Sequence, residues 1–422
     1  MRWWVSFGVL WPSIGWAFCG AYVGSPGQVP TNRSSQVAFT TDGERSVLTF
    51  AVDQEGDVAD FGLLVPVPPG LDDADVRLVD AGLFATLDAY SGGRLVRYTC
   101  DDAVVRSHYS NGIGCAMEYA TADSSQSLDS GGAWGGGPEA DGAVTVEAAF
   151  SEGVYDFVVL DATDGVALRT WLAEQGFELP RDERGILDEY IEGGQQFLAA
   201  RVRLDAAVDG EWLQPIQLRY PGSSTVIPIR IGTLSASGPQ DVVVYTLTSD
   251  AYWGITTYPE VELETDCMLP KGIDLPDHLE QATDAAFGGE PAAWMVEYAW
   301  GGGKCDPCTV PDGLGRDVMR EMGFEQEDAW SPFYFTRLHV RYAPEAAEVD
   351  LVLQSTGDTQ ILKQLRFIEH NKNLDWLYPV CGEGMVDDPG SCPTRGRSSR
   401  AWMPLGLLGA GLLLVAVARR RA

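Results

Sequence analysis

Short apolar segments of strand length, repeated along most of the chain, constrain its fold more than any other feature. Residues 47–52, 61–67, 144–150, 155–160, 196–204, 213–220, 226–231, 242–248, 294–300 and 333–342 are each rich in Val, Ile, Leu, Phe, Tyr or Thr and stop at turn residues. Many of them alternate, as in Phe333-Tyr334-Phe335-Thr336-Arg337-Leu338-His339-Val340. Alternation leaves one face buried and one wet, the pattern of antiparallel sheets. The segments at 47–52 and 61–67 read as a hairpin joined by the acidic stretch 53–60. Pro66–Pro69 closes the second of them, because proline cannot serve a central ladder.

Helical patterns are fewer and short. Residues 164–175 place Val166, Leu168, Trp171 and Leu172 toward one side, with Gly176 as the stop. Residues 184–192 group Ile186, Leu187, Tyr190 and Ile191 before Gly193-Gly194, and 314–322 ends at Gly323. Helices are also expected at 276–287 and 82–90. The fold class is therefore α+β, with predominantly antiparallel β-sheets and a few short helices. Extended pairs with an acidic turn recur at 49–67, 200–220 and 336–353, a hint of internal duplication. The Ser/Gly-rich stretch 122–142 cannot pack a core and suggests a boundary near residue 143. This divides the body into an N-terminal β-rich domain, 18–143, and a second α+β domain or domain pair, 144–380.

The two ends point to export. Residues 1–17 carry one arginine, an apolar run and Gly15-Trp16-Ala17, which reads as a signal peptide cleaved after Ala17. Residues 401–418 are apolar throughout and precede Arg419-Arg420-Arg421, which predicts a single C-terminal transmembrane helix with a cytoplasmic tail at 419–422. This tail resembles bacterial sorting tails. Residues 381–400 form a Pro/Gly-rich stalk between body and membrane. The body then lies outside the cytoplasm, periplasmic or on the cell surface.

All eight cysteines lie beyond the signal peptide: Cys19, Cys100, Cys115, Cys267, Cys305, Cys308, Cys381 and Cys392. An even number in an exported chain implies disulfides. Short loops favour Cys100 with Cys115 and Cys381 with Cys392. Cys305-Asp306-Pro307-Cys308 reads first as structural, bridged internally or to Cys19 and Cys267. A redox pair would need a helix N-terminus at the first cysteine, and a zinc site would need two further ligands. Cys305 and Cys308 remain the residues for a redox or metal alternative.

The net charge is −32, and every acidic residue lies within residues 18–392. Such a surface repels phosphate backbones, so nucleic acid is not an expected partner. The clusters Asp72-Asp73-Ala74-Asp75, Asp101-Asp102 and Asp387-Asp388 read as solvated faces before calcium sites. His108, His278, His339 and His370 are scattered. The sequence holds no H-E-x-x-H, no G-x-S-x-G, no S-x-x-K and no phosphate-binding glycine loop. No catalytic residue, metal site or cofactor is expected. Of eight tryptophans in the body, most fall in core-like contexts, and Trp134 in the glycine stretch does not.

Several stretches together resemble one family. They are Phe18-Cys19-Gly20-Ala21-Tyr22, the run from Asp57 to Pro68 followed by Leu83-Phe84-Ala85-Thr86-Leu87, and the run from Leu172 to Pro180. Leu218-Arg219-Tyr220-Pro221-Gly222 with Ile227–Ile231, and Glu297–Trp300 with the Cys-x-x-Cys, complete the set. The family is domain of unknown function 2330, exported proteins of bacteria, and the resemblance spans about residues 18–380. Members commonly carry a signal peptide and often a C-terminal anchor. Many have a second cysteine soon after the first, and this chain has only Cys19 there. The resemblance implies no activity and no catalytic residues. The expected function is a membrane-anchored, non-enzymatic binding or surface module for an envelope component, another protein or a glycan. Two alternatives are an envelope thiol-disulfide or metal-dependent enzyme centred on Cys305 and Cys308, and a self-assembling structural component.

Overall fold

Two sheets face each other, and helices cover both outer faces. In the computed structural model the described residues are 20–24, 32–51, 61–98, 142–179, 182, 184–202, 213–301, 314–325, 331–374 and 377–383. The first sheet is antiparallel throughout, in the order β1 (Ala21–Gly24), β4 (Phe61–Val67), β9 (Gln196–Val202), β8 (Tyr155–Ala162) and β7 (Val144–Glu152). The second has eight strands, ordered β18 (Lys363–Gln364), β15 (Ala292–Gly301), β16 (Tyr334–Tyr342), β12 (Ala236–Thr248), β2 (Asn32–Thr41), β3 (Arg45–Phe50), β10 (Ile216–Pro221) and β5 (Val76–Leu78). Its one parallel pairing is β2 with β12. Two three-stranded sheets flank these: antiparallel β11 (Val226–Ile227), β17 (Leu351–Ser355) and β13 (Trp253–Ile255), and parallel β14 (Cys267–Met268), β19 (Arg366–Ile368) and β6 (Arg94–Val96).

Alternation along each strand makes the layers. Tyr22, Leu63, Phe157 and Leu198 of the first sheet meet Phe39, Leu48, Phe50, Leu218, Val244 and Leu338 of the second in one central core. Each such fully buried side chain contributes about 1.5–3 kcal/mol relative to exposure. The neighbouring residues point outward. Val23, Leu64, Val158 and Phe197 pack under α2 (Gly165–Glu174) and α3 (Ile186–Glu192). Ala38, Tyr245, Tyr298 and Phe335 pack under α1 (Leu83–Ser91) and α5 (Arg316–Glu321). Ala293, Met295 and Phe367 pack under α4 (Leu275–Phe287).

The helices start and stop where their ends are satisfied. Asp164 caps α2 by accepting from the Ala167 N–H at 2.8 Å, and Asp274 caps α4 through the Asp277 N–H at 3.0 Å. Gly323 ends α5 at φ +89°, where a Cβ would sit 2.7 Å from Val47 Cγ1. Only glycine satisfies both the backbone angle and that approach.

The structure corrects three sequence expectations: the hairpin, the recurring pairs and the strand at 226–231. Strands β3 and β4 are not a hairpin: β3 pairs with β2 and β10, and β4 with β1 and β9. The three recurring extended pairs likewise change sheet, since β9 and β10 lie in different large sheets and β16 and β17 are not paired. The acidic stretches therefore connect sheets, and their likeness is one of connection, not of a repeated hairpin. Strand β4 keeps the expected bounds, 61–67: it runs through Pro66, opposite Phe197, and ends one residue later. The expected strand 226–231 stops at Ile227 and is followed by a 3-10 turn, Ile231–Ser235. Both large sheets take strands from either side of residue 143.

One disulfide lies among the described residues, Cys267 to Cys381, with Cα atoms 5.0 Å apart. This overturns the expected Cys381–Cys392 bridge and removes Cys267 as a partner for Cys305 or Cys308. Short sequence separation was outweighed by register. Met268 N donates to Pro379 O at 2.8 Å and Cys381 N to Met268 O at 3.0 Å, which lays the two cysteines side by side. Cys19, Cys100, Cys115, Cys305, Cys308 and Cys392 lie outside the described residues, as do 1–17 and 401–418. Among the described residues no helix is long and apolar enough to cross a membrane.

Candidate functional site

Two polar assemblies stand out against the apolar layers. The first is a line of alternating charges on the outer face of the eight-stranded sheet. Residues Arg337, His339 and Arg341 of β16 all point outward, alternating with buried Leu338, Val340 and Tyr342. Strand β15 has a bulge between Val296 and Tyr298, and the extra residue is Glu297. A bulge re-aims a side chain, and here it sets the carboxylate between two cations. Arg337 Nε donates to Glu297 Oε2 at 2.5 Å, and His339 Nδ1 lies 2.8 Å from Glu297 Oε1. His339 Nε2 lies 2.8 Å from Asp241 Oδ1, to which Arg341 Nε also donates at 2.7 Å. Asp88 of α1 and Asp284 of α4 complete the two ends through Arg337 and Arg341.

Burial alone would neutralise the members of this line, and their neighbours reverse it. Burial opposes ionisation of Glu297, but Arg337 and then His339 hold its carboxyl down at about 2. Burial disfavours imidazolium, but Glu297 and Asp241 raise His339 to about 9. The sign of each contribution follows. The stabilisation from His339 is complete below its unfolded value near 6.5 and is lost as pH rises through 9. That from Glu297 is complete above its unfolded value of 4.5 and is lost as pH falls toward 2. Asp350, raised by burial, works in the opposite sense and makes the acid limb shallower. Thermal unfolding across pH should show a plateau between about 4.5 and 6.5 and an alkaline decline on the order of 3 kcal/mol. His339→Gln should remove most of that decline.

The second assembly borders a pocket. It opens at one mouth of the central core, where β3, β4 and β10 end against α3 and β11. The cavity measures about 310 Å³, within the range of small-ligand sites. Its walls are Pro66, Pro68, Tyr220, Pro228 and Leu218, and its polar groups are Glu189, Tyr190, Gln195, Ser224, Arg230 and Asp350. The Tyr190 hydroxyl donates to Asp350, 2.8 Å from Oδ1 and 2.9 Å from Oδ2. Arg230 N donates to Asp350 Oδ1 at 3.0 Å. The Arg230 guanidinium turns to Glu189, with Nη1 2.6 Å from Oε2, while its buried Nε has no partner.

Each of these side chains has a local cause. Tyr190 lies on the apolar side of α3, beside Ile186 and Leu187. Arg230 leads into the 3-10 turn Ile231–Ser235, which aims its N–H at the loop before β17. Burial pushes the Asp350 carboxyl up from the usual carboxylate range, against the Arg230 N–H and the Tyr190 hydroxyl. Burial and then the Asp350 charge push the Tyr190 hydroxyl well up. Aromatic and proline walls around a few fixed donors and acceptors can hold a hydroxyl-bearing ligand.

No residue expected from sequence as a site lies in this pocket. Of the cysteines, Cys267 and Cys381 sit in the core under α4 and are joined. The acidic run at Asp72 serves the backbone: Asp72 accepts from Ala74 N, and Asp75 accepts from Asp72 N. Among the described residues no group of three His, Cys, Asp or Glu could hold a metal ion. Trp171, Trp253 and Trp294 are buried, and Trp134 lies outside the described residues.

Fold and pocket together define a four-layer sandwich, helix–sheet–sheet–helix, with a polar pocket at one mouth of its central core. A family model described as an uncharacterized protein conserved in bacteria, DUF2330, matches residues 14–354, and the chain belongs to that family. The match ends before the 380 expected from sequence. Comparison with curated proteins and with solved structures returned no match.

Proposed function

We propose that this chain is a non-enzymatic binding module of the bacterial cell envelope, exported, anchored by residues 401–418, and that its pocket takes a glycan. The observation that carries this is the Tyr190–Asp350–Arg230 cluster at the mouth of the sandwich. Its carboxylate and guanidinium are fixed by the protein, so a sugar hydroxyl meets oriented partners at little ordering cost. The mutual hydrogen bonds of the cluster suit holding a ligand. The acidic body favours a neutral ligand over an extended polyanion. The Cys267–Cys381 disulfide fits an oxidising compartment outside the cytoplasm.

The test is a titration of the full-length chain, in detergent, with oligosaccharides released from bacterial cell wall. Saturable binding is expected, and Asp350→Asn or Tyr190→Phe should weaken it about tenfold, the effect of one lost hydrogen bond to a charged group. Binding unchanged in both variants would refute the pocket as the glycan site.

A further inference from the structure

We infer that the outer face of β3, β10 and β5 is a second binding site, independent of the pocket above, that takes a phosphoryl group. Pairing across these strands sets Arg219 opposite Val47, and both Arg77 and Thr49 opposite Gln217. Arg45, two residues from Val47, shares the same face, while the alternate residues Leu48, Phe50, Ile216 and Leu218 enter the central core. Arg45, Arg77 and Arg219 thus line one cleft of about 670 Å³, beneath the end of α5.

The cleft is built around a fully buried amide. Gln217 Nε2 donates to Thr49 Oγ1 at 2.7 Å and to Glu321 O at 2.9 Å, which turns its carbonyl toward the arginines. Arg77 Nε and Arg219 Nε both donate to that one oxygen, at 2.6 Å and 3.1 Å. Two guanidinium groups are therefore held together by a neutral acceptor. Among the described residues, Arg45, Arg77 and Arg219 form no ion pair, and Arg219 gives only its Nε to a protein acceptor. Asp42 and Glu325 also line the cleft, and the Asp42 carboxylate is taken up by the backbone N–H groups of Glu44 and Arg45. Burial and then repulsion from Arg219 work against the charge on Arg77, the Glu321 carboxylate supports it, and Arg77 Nη2 donates to Arg320 O at 3.2 Å and to Glu321 O at 3.4 Å.

In a chain of net charge −32, with acidic residues in twofold excess over basic ones, cations are normally matched. Grouped guanidinium groups facing a cleft call for an anion from outside the protein. A single carboxylate satisfies one arginine fork, whereas a phosphoryl group presents three oxygens and up to two charges. The surrounding acidic surface disfavours long polyanions, so the phosphoryl group belongs to a small molecule or a lipid headgroup.

The experiment is calorimetric titration of the full-length chain in detergent with inorganic pyrophosphate at fixed ionic strength. Saturable binding is expected, weakened about tenfold or more by Arg219→Gln. Gln217→Glu supplies a second variant that keeps the shape and places a carboxylate between the two arginines. It gives up the bond to Glu321 O, so the melting temperature is read beside the titration, and it should abolish binding while the chain keeps its folded circular-dichroism spectrum at 25 °C, which a merely structural role for the arginines would not predict. Vesicles of phosphatidylglycerol distinguish the two sources. Binding to vesicles that is lost in Gln217→Glu puts the phosphoryl group on a lipid. Failure of the wild-type chain to bind either probe, or binding that survives both substitutions, overturns the inference.

Discussion

Replacing Glu297 by glutamine is expected to cost about 3–5 kcal/mol of folding free energy, the penalty for removing one partner from a buried ion pair. Among the described residues, Glu297 is the only carboxylate shared by Arg337 and His339, and it is 7% exposed. Its loss leaves Arg337 with Asp88 and His339 with Asp241. The His339 imidazolium then loses its larger support and titrates lower, so the alkaline decline in stability moves toward neutral pH. Urea unfolding of wild type and variant at pH 6 and pH 9 measures both effects. A loss below about 1 kcal/mol would show that the charged line behaves as a surface network.

The paired substitution Cys267→Ser with Cys381→Ser is expected to cost about 2–5 kcal/mol. The bridge closes a separation of 114 residues, so its absence frees a long loop in the unfolded chain. It also secures the small parallel sheet β14–β19–β6, whose strands have only two or three residues each. Equilibrium unfolding should show the loss, and limited proteolysis should cut first near residues 366–383. If unfolding is unchanged, the hydrogen bonds between Met268 and the 379–381 segment suffice without the bridge.

Strands and helices were largely legible because their signals are local. The strand at 61–67, the Gly176 stop after α2 and the alternation of β16 could be read directly from residue type. Pairing was not legible, because β3 and β4 are near in sequence yet belong to opposite sheets, and no local pattern records that choice. The disulfide failed for the same reason: proximity in sequence favoured Cys392, and the register of β14 brought Cys267. The pocket escaped notice because Tyr190, Arg230 and Asp350 come from separate elements and meet only through folding. One trace did exist, a hydroxyl-bearing Tyr190 grouped with Ile186 and Leu187 on a helix face that needed no polar group. The charged line left a second trace, in the Arg-x-His-x-Arg spacing at Arg337, His339 and Arg341, which places three cations on one face of a strand.

Hydrogen-exchange mass spectrometry of the full-length chain, with and without cell-wall oligosaccharide, tests the binding claim most directly. The account predicts protection confined to 66–68, 186–195, 218–231 and the segments around Leu48 and Asp350, the stretches that line the pocket. Protection elsewhere, or none at saturating oligosaccharide, would contradict it.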